Sequence, residues 1–169
     1  MNMSSILPNF RAIVAVCDDW GIGKAGDMLV HNREDMRSFV RHTKGHTVLM
    51  GRNTLERFPD AKPLTDRRNI VVSRDKSYAP EGVEMARSID EAVKLAGSDE
   101  VWVIGGGQIY KALLPRCAEA IVTKNHCLRE ADTFFPNLDE EPSWEVADIE
   151  DGGVTKSGIP FEFVTYRRA

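Results

Sequence analysis

Residues 101–114 read VWVIGGGQIYKALL, and this stretch decides the fold. Val101 to Ile104 are apolar, β-branched or aromatic, which is typical of a strand buried on both faces. Three glycines, 105–107, follow at once, and the pattern of residues 108–114 predicts a helix. Backbone N–H groups at such a helix start favour an anion. The alternative is a tight turn without a ligand, since the run is neither GxGxxG nor GxxxxGK[ST].

The bulk composition predicts one globular domain over residues 1–169. The chain is 42% hydrophobic and 28% charged, with a net charge of −4, which argues against nucleic acid or an anionic membrane as the main partner. The first ten residues, MNMSSILPNF, lack the basic segment and long apolar run of a signal peptide. No stretch is apolar enough to span a bilayer, so we expect a cytoplasmic protein.

Cysteine and histidine spacing gives no sign of a disulfide framework or a metal site. The cysteines are odd in number and form no CxxC motif, so we expect reduced thiols. His42 and His46 have helical spacing, but Gly45 between them indicates a helix end, and we expect no metal. The three cysteines are Cys17, Cys117 and Cys127.

The first third of the chain predicts a strand, a long loop and a helix. Residues 10–17, FRAIVAVC, read as a central strand. Residues 18–29, DDWGIGKAGDML, form a glycine-punctuated loop of the length that lids and binding loops have. In NREDMRSFVRH, residues 32–42, Asn32 is a candidate N-cap, and an apolar side consists of Met36, Phe39 and Val40.

Asp35 has two interpretations. At the third position of the helix it fits a capping or helix-dipole role. Met36 and Phe39 would also flank its carboxylate with apolar surface. A carboxylate in such surroundings has a raised pKa and can help to deliver a proton.

A second junction of strand, glycine and helix follows in HTVLMGRNTLERF, residues 46–58. Arg52, Asn53 and Thr54 lie at the helix start, where a guanidinium and a hydroxyl can add to the backbone N–H groups as phosphate ligands. A plain capping arrangement is the alternative. Two such junctions in one small domain favour a dinucleotide more than either does alone.

Further cationic residues follow, within a continuing alternation of strands and helices. Arg67 ends a proline-rich loop and could pair with a ligand carboxylate, or be a solvated surface residue. Ser73 and Arg74 end the strand NIVVSR and could face another phosphate. A strand at 82–86 and a helix at 88–96 continue the βαβ rhythm. The last two strands, SWEVADIE and PFEFVTYRR, would pair antiparallel at one edge.

From Ala12 to Arg168 the chain resembles dihydrofolate reductase. The motifs occur in the family's order: AIVAV, GIGKAGDM, REDMRSF, VLMGRNT, PL-x-x-RRNIVVS, VIGGGQIY and DTFFP. The resemblance implies an α/β fold, with an eight-stranded, mainly parallel central sheet, an antiparallel C-terminal edge strand and about four helices. It implies an oxidoreductase of one-carbon metabolism and an antifolate target, active as a monomer. The reaction is NADPH-dependent reduction of 7,8-dihydrofolate to 5,6,7,8-tetrahydrofolate, with hydride transfer to C6 and protonation at N5.

The resemblance also assigns substrate contacts. Asp35 is similar to the family's pocket carboxylate, which binds the pterin N3 and 2-amino group and supports protonation, and Thr123 backs it by hydrogen bonding. Arg67 resembles the arginine that holds the glutamate α-carboxylate. The other expected substrate-binding residues are Ile13, Val14, Ala15, Met36, Phe39, Phe58, Leu64, Ile104 and Tyr110.

The cofactor expected from the resemblance is NADPH. Residues 22–32 would form the mobile active-site loop, and the peptide between Gly105 and Gly106 would be cis. The expected cofactor-binding residues are Ala15, Ile22, Gly23, Met28, Gly51, Arg52, Asn53, Thr54, Ser73, Arg74, Gly105, Gly106, Gly107, Gln108 and Ile109.

The chain departs from the family pattern ahead of the first helix. Leu29 and Val30 stand where the family usually has Pro-Trp, and Arg33 stands where it has a further proline. Valine has no hydrogen-bond donor to replace the indole N–H, so we expect altered pterin affinity and loop motion, with the reaction retained.

Two other functions remain as alternatives. A reductase of the same fold that acts on the ribosylaminouracil intermediate of riboflavin synthesis would share the GGG region and NADPH. It would not need Asp35 with Phe39, or Arg67. A non-catalytic nucleotide-binding module would use Asp35 only as a helix cap.

Overall fold

The computed structural model describes residues 5–169, so Met1–Ser4, part of the segment from which we expect no signal peptide, lie outside the described residues. Eleven strands and four α-helices follow one another along this part of the chain. The strands are β1 Leu7–Val16, β2 Gly21–Lys24, β3 Asp27–Met28, β4 Thr47–Gly51, β5 Arg68–Val72, β6 Glu84–Ala86, β7 Val101–Gly105, β8 Cys117–Asn125, β9 Thr133–Phe134, β10 Trp144–Val154 and β11 Pro160–Arg168. The helices are α1 Arg33–Thr43, α2 Arg52–Glu56, α3 Ile89–Ala96 and α4 Gly107–Leu113.

Eight strands form one central sheet in the order β10-β11-β8-β1-β7-β4-β5-β6. The six strands from β8 to β6 in this order run parallel, and β11 and β10 add antiparallel at one edge. The predicted α/β class, the mainly parallel sheet, the antiparallel C-terminal edge and the four helices are therefore confirmed.

The sheet separates two apolar cores because successive side chains of a strand point to opposite faces. On β7, Val101 and Val103 belong to one cluster, which also includes α3 and α4 residues. Trp102 of the same strand belongs to the other cluster, together with Leu55 of α2, and Phe39 of α1 packs against it. Burial on both faces accounts for the continuous apolar runs in the sequence.

Strand connectivity places the site at the carboxyl ends of the central strands. The parallel strands β1 and β4 follow one another in that set along the chain, but β7 lies between them. In open α/β sheets, ligands bind outside the carboxyl ends of strands at such a crossover. β1, β4 and β7 end at Val16, Gly51 and Gly105, next to the residues that the sequence singles out.

The structure corrects the prediction of an irregular loop over residues 18–29. Part of this segment forms β2 and β3, which join β9 in a small three-stranded sheet. β2 pairs with β9 through Gly21 and Phe134, residues far apart in the sequence. The sequence pattern did not predict β2 because it contains glycines, which are unfavourable in strands on average.

The predicted apolar side of α1 is also partly wrong. Met36 is 49% exposed and Val40 is 41% exposed, whereas the buried residues of the helix are Ser38 and Thr43. Thr43 can be buried because its hydroxyl donates to the Phe39 carbonyl oxygen at 2.8 Å. Helical periodicity therefore predicted the helix correctly, but it did not predict which of its side chains are buried.

Several element boundaries differ from the predicted ones: β1 begins at Leu7 instead of residue 10, and β6 begins at Glu84 instead of residue 82. The last helix before the C-terminal strands begins at Gly107 and ends at Leu113, and residues 114–116 form a 3-10 turn. Gly152 and Gly153 lie within β10 and not in the turn after it, because the strand bulges between Asp151 and Gly153. The extent of the domain, residues 1–169, stays a prediction.

Candidate active site

Asn32 fixes the start of α1 beside β8. Its backbone is extended, and its Oδ1 accepts the backbone N–H of Asp35 at 3.1 Å, as an N-cap does. Its Nδ2 donates to Oδ1 of Asn125, at the end of β8, over 3.0 Å. Both side chains of this second bond are buried, so one asparagine caps the helix and ties it to the sheet.

The carboxylate of Asp35 turns away from the cap and toward the sheet. The Thr123 hydroxyl, on β8, donates to Asp35 Oδ1 at 2.6 Å. Burial raises the pKa of Asp35 above its ordinary value, and the Thr123 hydrogen bond offsets part of that rise. A purely capping role does not account for this contact, because the carboxylate bonds to a residue 88 positions away in the sequence.

Apolar side chains from both halves of the chain gather on the sheet face that α1 covers. Phe39 packs with the cluster that contains Ile13, and Met36 lies exposed one residue after Asp35. Val14 points to the opposite face. The expected substrate-binding residues of this cluster, or packed against it, are Ile13, Phe39, Phe58, Leu64 and Ile104.

Tyr110 lies under the site. Its side chain is buried, and its hydroxyl donates to the Ile13 carbonyl oxygen at 2.6 Å. Burial raises its pKa, and the nearby charge of Asp35 raises the pKa further. Tyr110 therefore stays neutral and supports the backbone of β1 beneath the pocket.

Arg67 is held in place beside Phe39. Its Nε donates to Thr43 Oγ1 and its Nη1 to the Thr65 carbonyl oxygen, both at 2.9 Å. Its guanidinium carbon lies 5.9 Å from the centre of the Phe39 ring. Burial lowers the pKa of Arg67, although an arginine keeps its charge in proteins. Within residues 5–169, Nη2 makes no hydrogen bond.

A small cleft, separate from the apolar cluster around Ile13 and Phe39 and called the second cleft below, lies at the end of β1. It is lined by Ala15, Ile22 and Met28, together with Leu29 and Val30. Met28 is 50% exposed. Gly23 is opposite Met28 in the β2–β3 ladder, so the expected nicotinamide contacts come together here.

The arginines at the ends of β4 and β5 are more exposed. Arg52 pairs with Asp75 at 3.1 Å and with Glu56 at 3.4 Å, and it stacks 4.0 Å from the Tyr78 ring centre. Arg74 is exposed. The remaining polar residues of this end are half-buried Thr54 and Ser73 and exposed Asn53 and Gln108.

The glycines of both junctions make close approaches. The Gly105–Gly106 peptide is cis, as expected, and Gly105 has φ +124°. A Cβ on Gly107 would lie 2.6 Å from Thr133 Cγ2, and one on Gly51 would lie 3.1 Å from Ile109 Cγ1. A side chain at either position would therefore push these elements apart.

Comparison with known proteins agrees with this geometry. The family model described as dihydrofolate reductase matches residues 9–168. The chain belongs to the dihydrofolate reductase family. The dihydrofolate reductase of Neisseria meningitidis serogroup A is 38% identical over 157 residues, covering 92% of this chain and 96% of the relative. That of Mycobacterium tuberculosis is 37% identical over 152 residues, covering 88% and 91%.

A solved structure of the family is also similar. It is the dihydrofolate reductase of Enterococcus faecalis in complex with NADP(H) and RAB-propyl. The TM-score is 0.85 at 33% identity, with 94% of this chain and 95% of that chain covered. The similarity extends over the whole fold and is not confined to the glycine junctions.

The departure from the family's Pro-Trp lies inside the second cleft. Leu29 and Val30 both line it and are half-buried. Leu29 Cδ1 would lie 3.3 Å from a Cβ on Gly21, so leucine fills space next to β2. Val30 contributes apolar surface only, because it carries no donor.

Two anchors of the active-site loop were missed by the sequence analysis. Ala25, in the β2–β3 turn, donates its N–H to Asp132 Oδ2 at 2.9 Å. Its carbonyl oxygen accepts from Arg57 Nη2 at 3.1 Å. Arg57 and Asp132 are exposed charged residues, which the sequence does not distinguish from other surface residues. The only sequence signal for this contact was the position of Asp132 at the start of the DTFFP motif.

Proposed function

We propose that the chain catalyses NADPH-dependent reduction of 7,8-dihydrofolate to 5,6,7,8-tetrahydrofolate. The observation that carries this proposal is the half-buried Asp35 carboxylate, whose pKa is raised by desolvation and which accepts a hydrogen bond from Thr123. No capping role requires that geometry. Family membership supplies the reaction class, and Asp35 supplies the group that the reaction needs.

Asp35 binds the substrate and promotes its protonation. Its free carboxylate oxygen accepts from the N3 and 2-amino group of the pterin, and Thr123 fixes the position of the other oxygen. Because burial raises the Asp35 pKa, the carboxyl group holds a proton at a higher pH than an exposed aspartate does. Asp35 thereby favours the state in which N5 becomes protonated.

The apolar wall and Arg67 position the two ends of the substrate. The rings of Phe39 and Phe58 form part of a cluster that shields the pterin and benzoyl groups from water. Arg67 keeps Nη2 for the glutamate α-carboxylate, because Thr43 and the Thr65 carbonyl orient the guanidinium through its other nitrogens.

The residues present fit NADPH. When bound, NADPH would supply the hydride for the reduction. Arg52, Arg74 and Ser73 offer two cations and a hydroxyl for phosphate groups, which matches the donor set of a 2′-phosphate site. The absence of a Cβ at Gly106 leaves the backbone open toward Thr54, whose hydroxyl would lie 3.7 Å from such an atom. The cleft of Ala15, Ile22 and Met28 takes the nicotinamide end.

The test is absorbance of NADPH with purified protein and each of two substrates, dihydrofolate and the ribosylaminouracil intermediate of riboflavin synthesis. We expect oxidation of NADPH with dihydrofolate alone. Oxidation with the uracil compound alone would assign the riboflavin reaction. If neither substrate is reduced by protein that still binds NADPH, the nucleotide-binding module is correct.

Further parts of the proposal concern the state of the protein. No helix in residues 5–169 has the length and apolarity that a membrane span requires. The net charge of −4 supports a protein that does not bind nucleic acid, and we propose a cytoplasmic monomer of one domain. Light scattering coupled to size exclusion tests the monomer, for which a single peak near 18.9 kDa is expected.

A further inference from the structure

Two of the three cysteines lie side by side where two strands end. Cys17 follows β1, Cys127 lies just beyond β8, and their Sγ atoms are 3.7 Å apart. A disulfide needs about 2 Å between the sulfurs, so closure requires a small movement of the side chains. All three cysteines are free thiols, and Cys117 opens β8 at its opposite end.

The backbone around the pair is already joined. The Asp18 N–H donates to the Cys127 carbonyl oxygen at 3.0 Å, and His126 contacts Asp18 at 3.3 Å. These contacts hold the two strand exits together, so a covalent bond would add to an existing junction. Neither thiol has a place in the proposed reduction.

We propose that Cys17 and Cys127 form a reversible disulfide with a low-molecular-weight disulfide as oxidant, and that this modification restrains the active-site loop. Cys127 is half-buried and Cys17 is 3% exposed, so Cys127 is the thiol that the oxidant reaches first. Nothing in the pair requires a metal or a second protein.

The exchange balances in two steps. The Cys127 thiolate attacks one sulfur of the small disulfide, whose S–S bond breaks, and one small thiol leaves with a proton. The Cys17 thiolate then attacks Cys127 Sγ, the mixed disulfide breaks, and the second small thiol leaves with a proton. The protein loses two protons and two electrons, and the small disulfide gains them.

The resting state of the pair is reduced. Burial raises the pKa of Cys17 to about 12, and the hydrogen bond with Cys127 contributes to the rise. At neutral pH the Cys17 thiol is therefore protonated, and the second step is slow because it needs the Cys17 thiolate. A disulfide of this kind is transient in a reducing compartment.

The link to the active-site loop follows from what lies after each cysteine. Residues 17–21 lead from Cys17 into β2, and Cys17 itself borders the cleft of Ala15 and Ile22. Residues 127–132 lead from Cys127 to Asp132, which holds the N–H of Ala25. The disulfide would connect the bases of the two segments that meet at the β2–β3 turn. Its effect on turnover rests on the proposed function.

The experiment treats the purified full chain with glutathione disulfide and measures intact mass, a peptide map and Tm. We expect loss of two hydrogen atoms, a peptide that joins Cys17 to Cys127, and a Tm increase of about 5 °C or more, reversed by dithiothreitol. The variant Cys117→Ser should behave like the wild type. Treatment with glutathione disulfide should leave the mass and the Tm of Cys127→Ser unchanged. Cys17→Ala should stop at a glutathione adduct on Cys127.

Three results would overturn the site: a wild-type protein that stops at the glutathione adduct, a cross-link that includes Cys117, or no reaction at Cys127. Cys127→Ser is at a half-buried position, so the test stands even where Cys17→Ala fails to fold. These readouts do not require catalysis, so their failure differs from failure of the proposed function. Oxidised wild type should lose at least about half of its turnover rate with NADPH and dihydrofolate. An unchanged rate would refute the loop restraint.

Discussion

Asp35 and Arg52 are both charged residues at helix starts, but the fold treats them in opposite ways. Asp35 is half-buried, and its contact is the neutral hydroxyl of Thr123. Arg52 is more exposed and faces two carboxylates, those of Asp75 and Glu56. A buried charge without an opposing charge shifts its pKa, whereas a surface charge with partners keeps its charge. The first arrangement suits proton chemistry, and the second suits binding of a phosphate.

The difference also predicts how each end responds to its surroundings. Surface ion pairs contribute little and are screened by salt over about 8–10 Å. A phosphate can therefore replace Asp75 as the partner of Arg52 at small cost. The hydrogen bond between Thr123 and Asp35 is a direct contact of 2.6 Å to a buried neutral hydroxyl, so salt should hardly change it.

The largest expected effect is loss of activity in Asp35→Asn. The amide keeps the shape but removes the ionisable group, and we expect a fall in turnover of about 10²–10⁴-fold at neutral pH. The loss should be smaller at low pH, where the solvent supplies the proton. The matched control is Glu34→Gln, in the same helical turn but exposed and paired with Arg37. If both variants retain the wild-type rate, Asp35 is only a helix cap.

The second effect concerns the tail of the substrate. Arg67→Leu should weaken dihydrofolate binding by about 10–100-fold, because a charge-assisted contact contributes about 1.5–3 kcal/mol. A pterin that lacks the glutamate tail serves as the control ligand and should bind nearly as before. Equal losses for both ligands, measured by fluorescence titration, would show that Arg67 only supports Thr43 and the loop.

The third effect should separate the two ends by their response to salt. NADPH should be preferred to NADH, and Arg52→Ala should lower this preference by about tenfold, since a 2′-phosphate loses one cationic partner. The preference should decline as salt is raised, while the Asp35→Asn defect stays constant. Arg37→Ala, at an exposed arginine of α1, is the control. Salt-independent preference would mean that Arg52 does not meet the phosphate.

A smaller effect is expected from restoring the family's tryptophan. Val30→Trp returns a ring and an N–H donor to the cleft, and an anchored bridging water is worth on the order of 1 kcal/mol. Dihydrofolate binding or hydride transfer should therefore improve several-fold, provided that Leu29 leaves room for the ring. Pre-steady-state kinetics and folate binding measure both. A folded variant with neither gain would show that the cleft has already compensated.

The smallest effect is on stability, and it has a defined pH dependence. The folded-state pKa of Asp35 is raised, so its burial lowers stability as pH rises from the unfolded-state pKa, about 3.9, through the folded-state pKa. Asp35→Asn should therefore be more stable than wild type at pH 7. Its Tm should rise by about 2–4 °C for each kcal/mol gained in the free energy of unfolding. The gain should vanish below pH 4. Differential scanning calorimetry at both pH values decides, and a variant less stable at pH 7 would contradict the raised pKa.

The sequence predicted the sheet and the junctions because these depend on local patterns. Apolar runs such as Val101–Ile104 and glycine positions report burial and close approach directly. Asn32 was identified as a cap from its type and position alone. Asp35 was singled out by its place in the first helical turn and its apolar neighbours, and its partner Thr123 was reached through the family resemblance.

What the sequence did not reveal depends on contacts between distant residues. The strand β2 exists because it pairs with β9, and glycines gave no local sign of it. Ala25 is held by Arg57 and Asp132, which look like ordinary surface residues. The pairing of Arg52 with Asp75 follows from the turn after β5, which the sequence pattern does not specify.

The central claim is that Asp35 ionises with a raised pKa and controls protonation of the substrate. Its most direct test is the single-turnover rate of hydride transfer across pH, in wild type and Asp35→Asn, with excess enzyme and saturating NADPH. In wild type the rate should be highest at low pH and fall through one apparent pKa above the ordinary value for aspartate. In Asp35→Asn that transition and its low-pH plateau should be absent, and the rate should keep rising as the pH falls because the solvent supplies the proton. A wild-type rate that does not depend on pH, or an equal transition in both proteins, would contradict the account.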